Sequence, residues 1–384
     1  MPTYASPAQR IGKWKGEILS RAIPVEVLQI AGVQKSIPKN VSNTVVYRRW
    51  VPYDADKTTN VSNGVIPEGT NGSRLIADRT ANETGPDSTN LGIVTTMLAA
   101  NSGGAGRNLL TEGVTPTADT MVAQDVTVTL AQYGCLYSFT DLNADLAEDD
   151  IEDALKTQVA ERIALVRELE LYAKVRAATN RFFAGVATTV ATVQVGLTAA
   201  LLRKVARSLA NNHAKKITSI LSASPNIGTK PIEAGYLVFC HTDIDADLRN
   251  ATNFPGYTPV AEYGSRKPLH ENEIGSFENF RFIASPELVP YANAGAAAAT
   301  YTTMETSGGT GINVYPLIIT GQEAYGTVAL RGANAFDLSV IPVGTKDKSD
   351  PLGQRGYVGA KFYASSAVLN QQWMAVAYVG ATKL

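Results

Sequence analysis

Apolar residues recur every three to four positions through one stretch of this chain, at Ile151, Leu155, Val159, Ile163, Val166 and Leu169, with Tyr172 and Val175 extending the series. That spacing marks one face of an α-helix and predicts a helix from about 145 to 180. Glu148, Asp149, Asp150, Glu152 and Asp153 crowd its first turns, where the positive helix end favours carboxylates. Lys174, Arg176 and Arg181 lie toward the other end. At ~1.5 Å per residue the element would run about 50 Å, more than a small domain needs for its own core. It is proportioned as a beam.

Other segments have clear signatures. Trp14, Ile18, Leu19, Ala22 and Ile23 recur at helical spacing until Pro24 interrupts, and Val27, Leu28 and Ile30 follow as a docking segment. The β-branched and aromatic residues from Thr44 to Val51 predict a strand, and Val122, Val126, Val128, Leu130, Tyr133 and Leu136 predict one or two more, ending near Phe139. Between them, residues 54–106 are rich in Asn, Thr, Ser and Gly and too poor in large apolar groups to form a core of their own. Two strands flanking a long polar extension predict an extended hairpin, with a turn-rich loop from Leu110 to Pro116 inside it.

Beyond Gly185 the pattern becomes compact α/β. Thr198 is placed to cap a helix that turns Leu201, Leu202, Val205 and Leu209 inward and ends near Asn212. Tyr236–Cys240 and Phe280–Ala284 read as strands, and Asp243 as the cap of a short helix ending near Arg249. Further strands are predicted at Val314–Ile319, Gly326–Leu330, Val358–Tyr363 and Met374–Tyr378. Residues 292–311 are a low-complexity Ala/Gly/Thr run and predict a flexible loop or small insertion. Asp350 to Gly356 predict a tight, buried connection, because Pro351 fixes φ and the glycines permit turns. Arg355 would then pair bidentately with a carboxylate or with backbone carbonyls.

Composition narrows the classes. The chain has 384 residues, enough for two to three domains and a sizeable core at 45% hydrophobic residues. Only 18% are charged, and the net charge of −1 excludes condensation of the whole chain onto nucleic acid by its overall field. Cys135 and Cys240 are the two cysteines and cannot form a disulfide framework. The start of the chain lacks a secretory signature, and no apolar stretch reaches ~18 residues, so no membrane span is expected.

Residues able to carry chemistry are few. His213, His241 and His270 are the three histidines, and neither Cys240–His241 nor the spacing to Cys135 matches a zinc site, which needs about four convergent ligands. Asp243 and Asp245 could offer oxygens to a hard cation, but capping of a helix start explains Asp243 more simply. Nucleophile elbow, P-loop and Ser-x-x-Lys motifs are absent, and Gly103–Gly106 lacks the strand and helix that a phosphate loop requires. No catalytic residue, metal or cofactor is therefore assigned.

A series of short motifs supplies more. Ile37-Pro38-Lys39 leads to Val46-Tyr47-Arg48-Arg49, then to Thr111-Glu112-Gly113-Val114-Thr115-Pro116 and to Tyr133-Gly134 before Phe139-Thr140-Asp141. His241-Thr242-Asp243 with Asp247-Leu248-Arg249 follows, then Gly275, Ala324-Tyr325-Gly326, and Asp350-Pro351-Leu352-Gly353-Gln354-Arg355 with Gly359 and Lys361. In this order, over roughly residues 10 to 380, the motifs resemble the tailed-phage major capsid proteins of the coliphage N-four type.

The resemblance implies an α+β chain with the Hong Kong ninety-seven capsid fold. It implies an N-terminal arm at 1–40, an extended loop with a long polar insertion at 41–135, and a peripheral domain with a spine helix at 136–196. An axial domain would occupy 197–340, and return strands of the peripheral domain 341–384. Assembly or structural roles would fall on Arg48, Arg49, Glu112, Gly113, Asp141, Asp243, Arg249, Asp350, Pro351, Gln354, Arg355 and Gly359. The implied partner is the chain itself, in hexamers and pentamers of an icosahedral shell around double-stranded DNA. Portal and scaffolding or decoration proteins are further candidates.

Arg10, Lys13, Lys15 and Arg21 in the arm are the candidates for weak, non-specific contact with packaged DNA, against the plainer reading of a solvated face. Two rival classes share part of the pattern. A bacterial nanocompartment shell would enclose cargo enzymes in the same fold, and a soluble α/β enzyme would need a convergent pocket of titratable groups.

Overall fold

The computed structural model describes residues 26–37, 42–50, 109–116, 118, 123–146, 151–221, 229–250, 252–263, 268–330, 336–346, 348 and 350–384. The first half holds β1 (Val33–Ile37), β2 (Thr44–Trp50), β3 (Ala123–Thr129), β4 (Ala131–Thr140), α1 (Asp141–Leu146), α2 (Ile151–Val175), β5 (Arg181–Phe183) and α3 (Ala199–Asn211). Next come β6 (Ile217–Leu221), β7 (Thr229–Cys240), α4 (Asp245–Arg249), β8 (Thr258–Pro259), β9 (Glu273–Phe277) and β10 (Phe280–Ala284). The chain closes with β11 (Tyr315–Thr320), β12 (Tyr325–Leu330), β13 (Phe336–Ile341), β14 (Arg355–Val368) and β15 (Met374–Val379).

Strict alternation builds the larger sheet. Its order is β5-β15-β11-β7-β10-β9-β8, with β6 added beside β7. Along its central strands, Tyr236, Val238, Cys240, Leu317, Ile319, Ala375, Ala377 and Val379 turn to one face and pack under Leu201, Leu202, Val205 and Leu209 of α3. The intervening Leu237, Phe239, Ile318, Met374, Val376 and Tyr378 turn to the other face. Every residue of β11 and β15 is buried, which is why both strands read as continuous apolar runs. Thr198 caps α3 as its sequence predicts, its hydroxyl accepting from the Leu201 amide at 3.4 Å.

The smaller sheet is organised by β14, whose 14 residues pair with β4 along one edge and with β13 and β12 along the other. β1 completes it, parallel to β12. A two-stranded ribbon, β2 with β3, pairs with neither sheet but packs on the smaller one, with Tyr47 and Val128 against Ile37 and Val328 and the Tyr47 hydroxyl donating to the Thr327 carbonyl at 3.2 Å; its strands flank residues 51–122. Leu130 alone separates β3 in the ribbon from β4 in the sheet.

Helix α2 joins the two cores. Val159 and Ile163 pack on Phe139, Val358, Ala360 and Phe362 of the smaller sheet. Leu171, Tyr172 and Val175 enter the cluster that contains Ile318, Val376 and the arm-side Val27 and Leu28. The helix has 25 residues, about 37 Å at ~1.5 Å each, so it is shorter than the sequence predicts. Residues 141–146 form the separate α1, and Glu148, Asp149 and Asp150 lie outside the described residues.

At the other end the helix stops at Val175 because the chain must turn to lay β5 beside β15. Asn180 is buried in that turn, its Nδ2 donating to the Met374 carbonyl at 2.9 Å. The apolar stripe also drifts: Leu169 is 38% exposed, whereas Glu168 is fully buried.

Of the two readings open for residues 292–311, a flexible loop or a small insertion, the structure favours a laced lobe. Asn293 Oδ1 accepts from the Thr306 hydroxyl and from the Ser307 and Gly309 amides, and bridges tie Ala297 to Gly311 and Met304 to Thr382. Backbone bonds such as Glu305 N to the Ala381 carbonyl complete it.

β12 and β13 pair into the smaller sheet, and β15 returns to the larger one. One expectation is corrected: residues 350–354 are not a buried connection but end the segment between β13 and β14 of one sheet, and Pro351, Leu352 and Gln354 are exposed.

Because Leu171 is 1% exposed at the join of helix and sheet, Leu171→Ala should cost about 2–5 kcal/mol of stability, read from the denaturant midpoint of the isolated chain.

Candidate assembly site

The ribbon carries the best-defined ion pair of the predicted set. Arg48 and Asp125 are directly opposite in the β2–β3 register. Arg48 Nε donates to Asp125 Oδ1 and Nη2 to Oδ2, each at 2.8 Å, a bidentate fork that holds the ribbon in register. The hydrogen bond from Arg48 holds the Asp125 carboxyl below its ordinary range. Asp125 is a residue that sequence reasoning missed, although its charge opposite Arg48 across a hairpin was the available signal. Arg49 contributes its backbone, paired with Gln124.

Glu112 and Gly113 lie in an exposed turn closed by the Val114 amide donating to the Thr111 carbonyl at 3.2 Å. Gly113 has φ +75°, a left-handed conformation that favours glycine. Leu109 and Leu110 beside it are 58% and 71% exposed.

A second cluster forms where β13 turns into β14. Asp350 Oδ1 accepts from the Gly353 amide at 3.1 Å and Oδ2 from the Arg355 amide at 2.8 Å, so one carboxylate satisfies two donors of the turn that follows Pro351. Gly353 has φ +69°. The Gln354 carbonyl accepts from the Asp141 amide at 3.0 Å, which docks the start of α1 onto the turn, and Asp141 Oδ1 accepts from the Leu142 amide at 2.7 Å.

Gly359 lies further along β14 opposite Leu136, where a Cβ would meet Leu136 Cδ1 at 2.8 Å and the Cys135 carbonyl at 2.9 Å. The structure thus brings Asp141, Asp350, Pro351, Gln354 and Arg355 into one junction. It corrects the expectation for Arg355: the residue is exposed, and its role there is that of its amide. Leu142, Leu146 and Leu352 stand out around this junction at 64%, 76% and 72% exposure.

Asp243 and Arg249 sit on the larger sheet. The expected cap is not Asp243 but His241, whose Nδ1 accepts from the Asp243 amide at 3.2 Å at the start of a 3-10 turn. The Asp243 carboxylate instead accepts from the Tyr315 hydroxyl at 2.6 Å. Arg249 Nε reaches both oxygens of Asp245, at 2.9 Å each, along α4. Arg10, Lys13, Lys15 and Arg21 lie outside the described residues.

Two buried carboxylates were also missed. Glu273 accepts from Arg281 and from the Tyr263 hydroxyl, both at 2.8 Å, and from the Leu269 amide, so it knits the β8–β9–β10 end. Glu168 accepts from the Leu28 amide at 2.8 Å. Its signal was positional, because Ala164, Leu171, Tyr172 and Val175 share its helical face.

Among the described residues no group of three or more His, Cys, Asp or Glu is placed to hold a metal, and no helix is long and apolar enough to cross a membrane. Cys135 and Cys240 are free, and burial pushes the Cys240 thiol up to about 12.

The architecture has known counterparts. The chain superimposes over its full length on the capsid of Ralstonia phage GP4, with a TM-score of 0.60, 10% identity and 96% of that chain covered. It matches the capsid of cyanophage Pam1 with a TM-score of 0.54, 12% identity, and 100% of this chain and 97% of that one covered. The head structure of Helicobacter pylori bacteriophage KHP40 gives a TM-score of 0.54 at 10% identity, covering 99% and 95%. The chain therefore has the phage capsid fold of the Hong Kong ninety-seven type.

In sequence it is similar to the major capsid protein of Pseudomonas phage KPP21, 25% identical over 177 residues. That match spans 44% of this chain and 44% of the relative, less than half of each. No protein-family model matches the chain.

Asp350→Ala leaves two turn amides without their acceptor and should cost about 1–3 kcal/mol, whereas Arg355→Ala should stay within about 0.5 kcal/mol of the parent in equilibrium unfolding.

Proposed function

We propose that this chain is the major capsid protein of a tailed bacteriophage, a virion subunit made in the host cytoplasm that assembles into hexamers and pentamers of an icosahedral shell around double-stranded DNA. The observation that carries the reading is the full-length match to phage capsid structures, supported by the partial sequence likeness to a major capsid protein. The work is assembly, without turnover.

In this reading the larger sheet is the axial domain, the smaller sheet with α2 is the peripheral domain, and the β2–β3 ribbon is the base of the extended loop. Leu109, Leu110, Leu142, Leu146 and Leu352 suit lateral contact, since a closed shell stabilises each chain through its neighbours and buries apolar surface that a solitary chain leaves wet. The Arg48–Asp125 fork would keep the ribbon straight enough to reach a neighbour. Portal, scaffolding or decoration proteins are further partners of such a shell.

The arm bases Arg10, Lys13, Lys15 and Arg21 would touch packaged DNA weakly and without sequence preference. A genome that slides past the wall during packaging is better served by a few screened cations than by a strong grip, and counterion release makes such contact fall steeply with salt.

Purified chain, with or without a scaffold, should form closed icosahedral particles in electron micrographs; only monomers in light scattering at high concentration would overturn the reading. Neutralising the four arm bases should leave shells intact and alter DNA retention. Loss of shells with unchanged DNA retention would assign these bases to a subunit interface instead.

A further inference from the structure

Glu168 of α2 is buried completely beneath the Val27–Ile30 turn. One oxygen accepts the Leu28 amide at 2.8 Å, and the other, Oε2, has no hydrogen-bond partner. The segment it holds is a single 3-10 turn, Leu28–Ile30, with Val27 and Leu28 both buried against α2 and the larger sheet. Tyr325 of β12 holds the same turn from the other side, its hydroxyl donating to the Leu28 carbonyl. A carboxylate with one oxygen unpaired in an apolar junction is costly when ionised and tolerable when protonated.

We propose that Glu168 is a protonation-gated latch: as the neutral acid it clasps the Val27–Ile30 turn to α2, and its ionisation undocks that turn. The charged and titratable groups around it fit this role. On the turn, Glu26 adds negative charge, although its own carboxylate is engaged by Arg167 Nη1 at 2.8 Å. On the helix, Arg167 is drawn away by Glu26 and by Gln29 Oε1 at 2.9 Å. From β12, Tyr325 presents a hydroxyl whose ionisation burial pushes far up, so it brings no charge. Arg167 still favours the charged form of Glu168, but burial outweighs it and its hydrogen bonds go to Glu26 and Gln29.

Burial, with Glu26 adding to it, raises the Glu168 carboxyl from its ordinary 4.5 to about 8, against the opposing pull of the Leu28 and Val27 amides and of Arg167. The sign follows. The docked turn binds a proton more tightly than the undocked one, so docking is strongest below about 4.5, weakens about tenfold per pH unit up to about 8, and levels off above. The full swing is on the order of a thousandfold in the opening equilibrium.

Hydrogen exchange of the full-length chain, with the intrinsic pH dependence of exchange divided out, reads this directly at the Leu28 amide. Opening should rise through that window in the parent and stay flat in Glu168→Gln, which keeps the acceptor and removes the proton. Glu26→Gln should retain most of the dependence. A flat parent profile, or the same slope in Glu168→Gln, overturns the proposal, as does a slope abolished by Glu26→Gln alone.

Infrared spectroscopy of the isotope-labelled parent needs no variant. A protonated carboxyl band present near neutrality and gone about two pH units higher supports the latch, and its absence near neutrality overturns it.

Discussion

The structure hangs on helix α2 and its obligation to serve two cores at once. Its first half lies over β4 and β14, where Val159 and Ile163 meet Phe139, Val358 and Phe362. Its second half leaves that sheet and drives Leu171, Tyr172 and Val175 into the cluster behind β7, β11 and β15. Neither sheet has another described helix that spans both. Their relative placement rests on this rod together with Ala324 and Tyr325 at the start of β12, which join Ile318 and Val376 of the larger sheet in the same cluster.

Several other features follow from that constraint. The turn at Val27–Ile30 can dock only because the end of α2 offers an apolar seat beside Tyr325, and the price is a buried carboxylate at Glu168. Ser366 donates to Glu170 at 2.6 Å, which ties β14 to the same helix near its crossing point. Arg176 covers the rings of Tyr172 and Tyr291 at 5.4 and 5.1 Å, so the helix end also anchors the start of the laced 292–311 lobe. Polar groups around the rod are thus placed by its packing.

The surfaces left free by these cores suit contact between copies. The ribbon of β2 and β3 rests on the smaller sheet through Tyr47 and Val128 and stays in register through backbone pairing and the Arg48–Asp125 fork. The β13–β14 turn is closed by Asp350 and props up α1, whose Leu142 and Leu146 remain in solvent.

Local patterns in the sequence determined the elements themselves. Helical spacing from Ile151 to Val175, the Thr198 cap and the alternating runs of β7, β11 and β15 are all short-range signals, because helix and strand periodicities are written in consecutive residues. The ordered series of motifs likewise pointed to the capsid fold and made Asp141, Asp350 and Gln354 worth watching.

What tertiary structure alone decided were relations between segments: that β12 and β13 belong with β14, that Asp125 faces Arg48, and that Asp243 serves Tyr315 and leaves the cap to His241. It also ordered residues 292–311 through backbone bonds and the Asn293 side chain, which carry no periodic signal, and it exchanged Leu169 for Glu168 at the buried face of α2. The physical reason is common to all of them. Burial and pairing depend on which segment arrives from elsewhere in the fold, and periodicity along the chain does not name that segment.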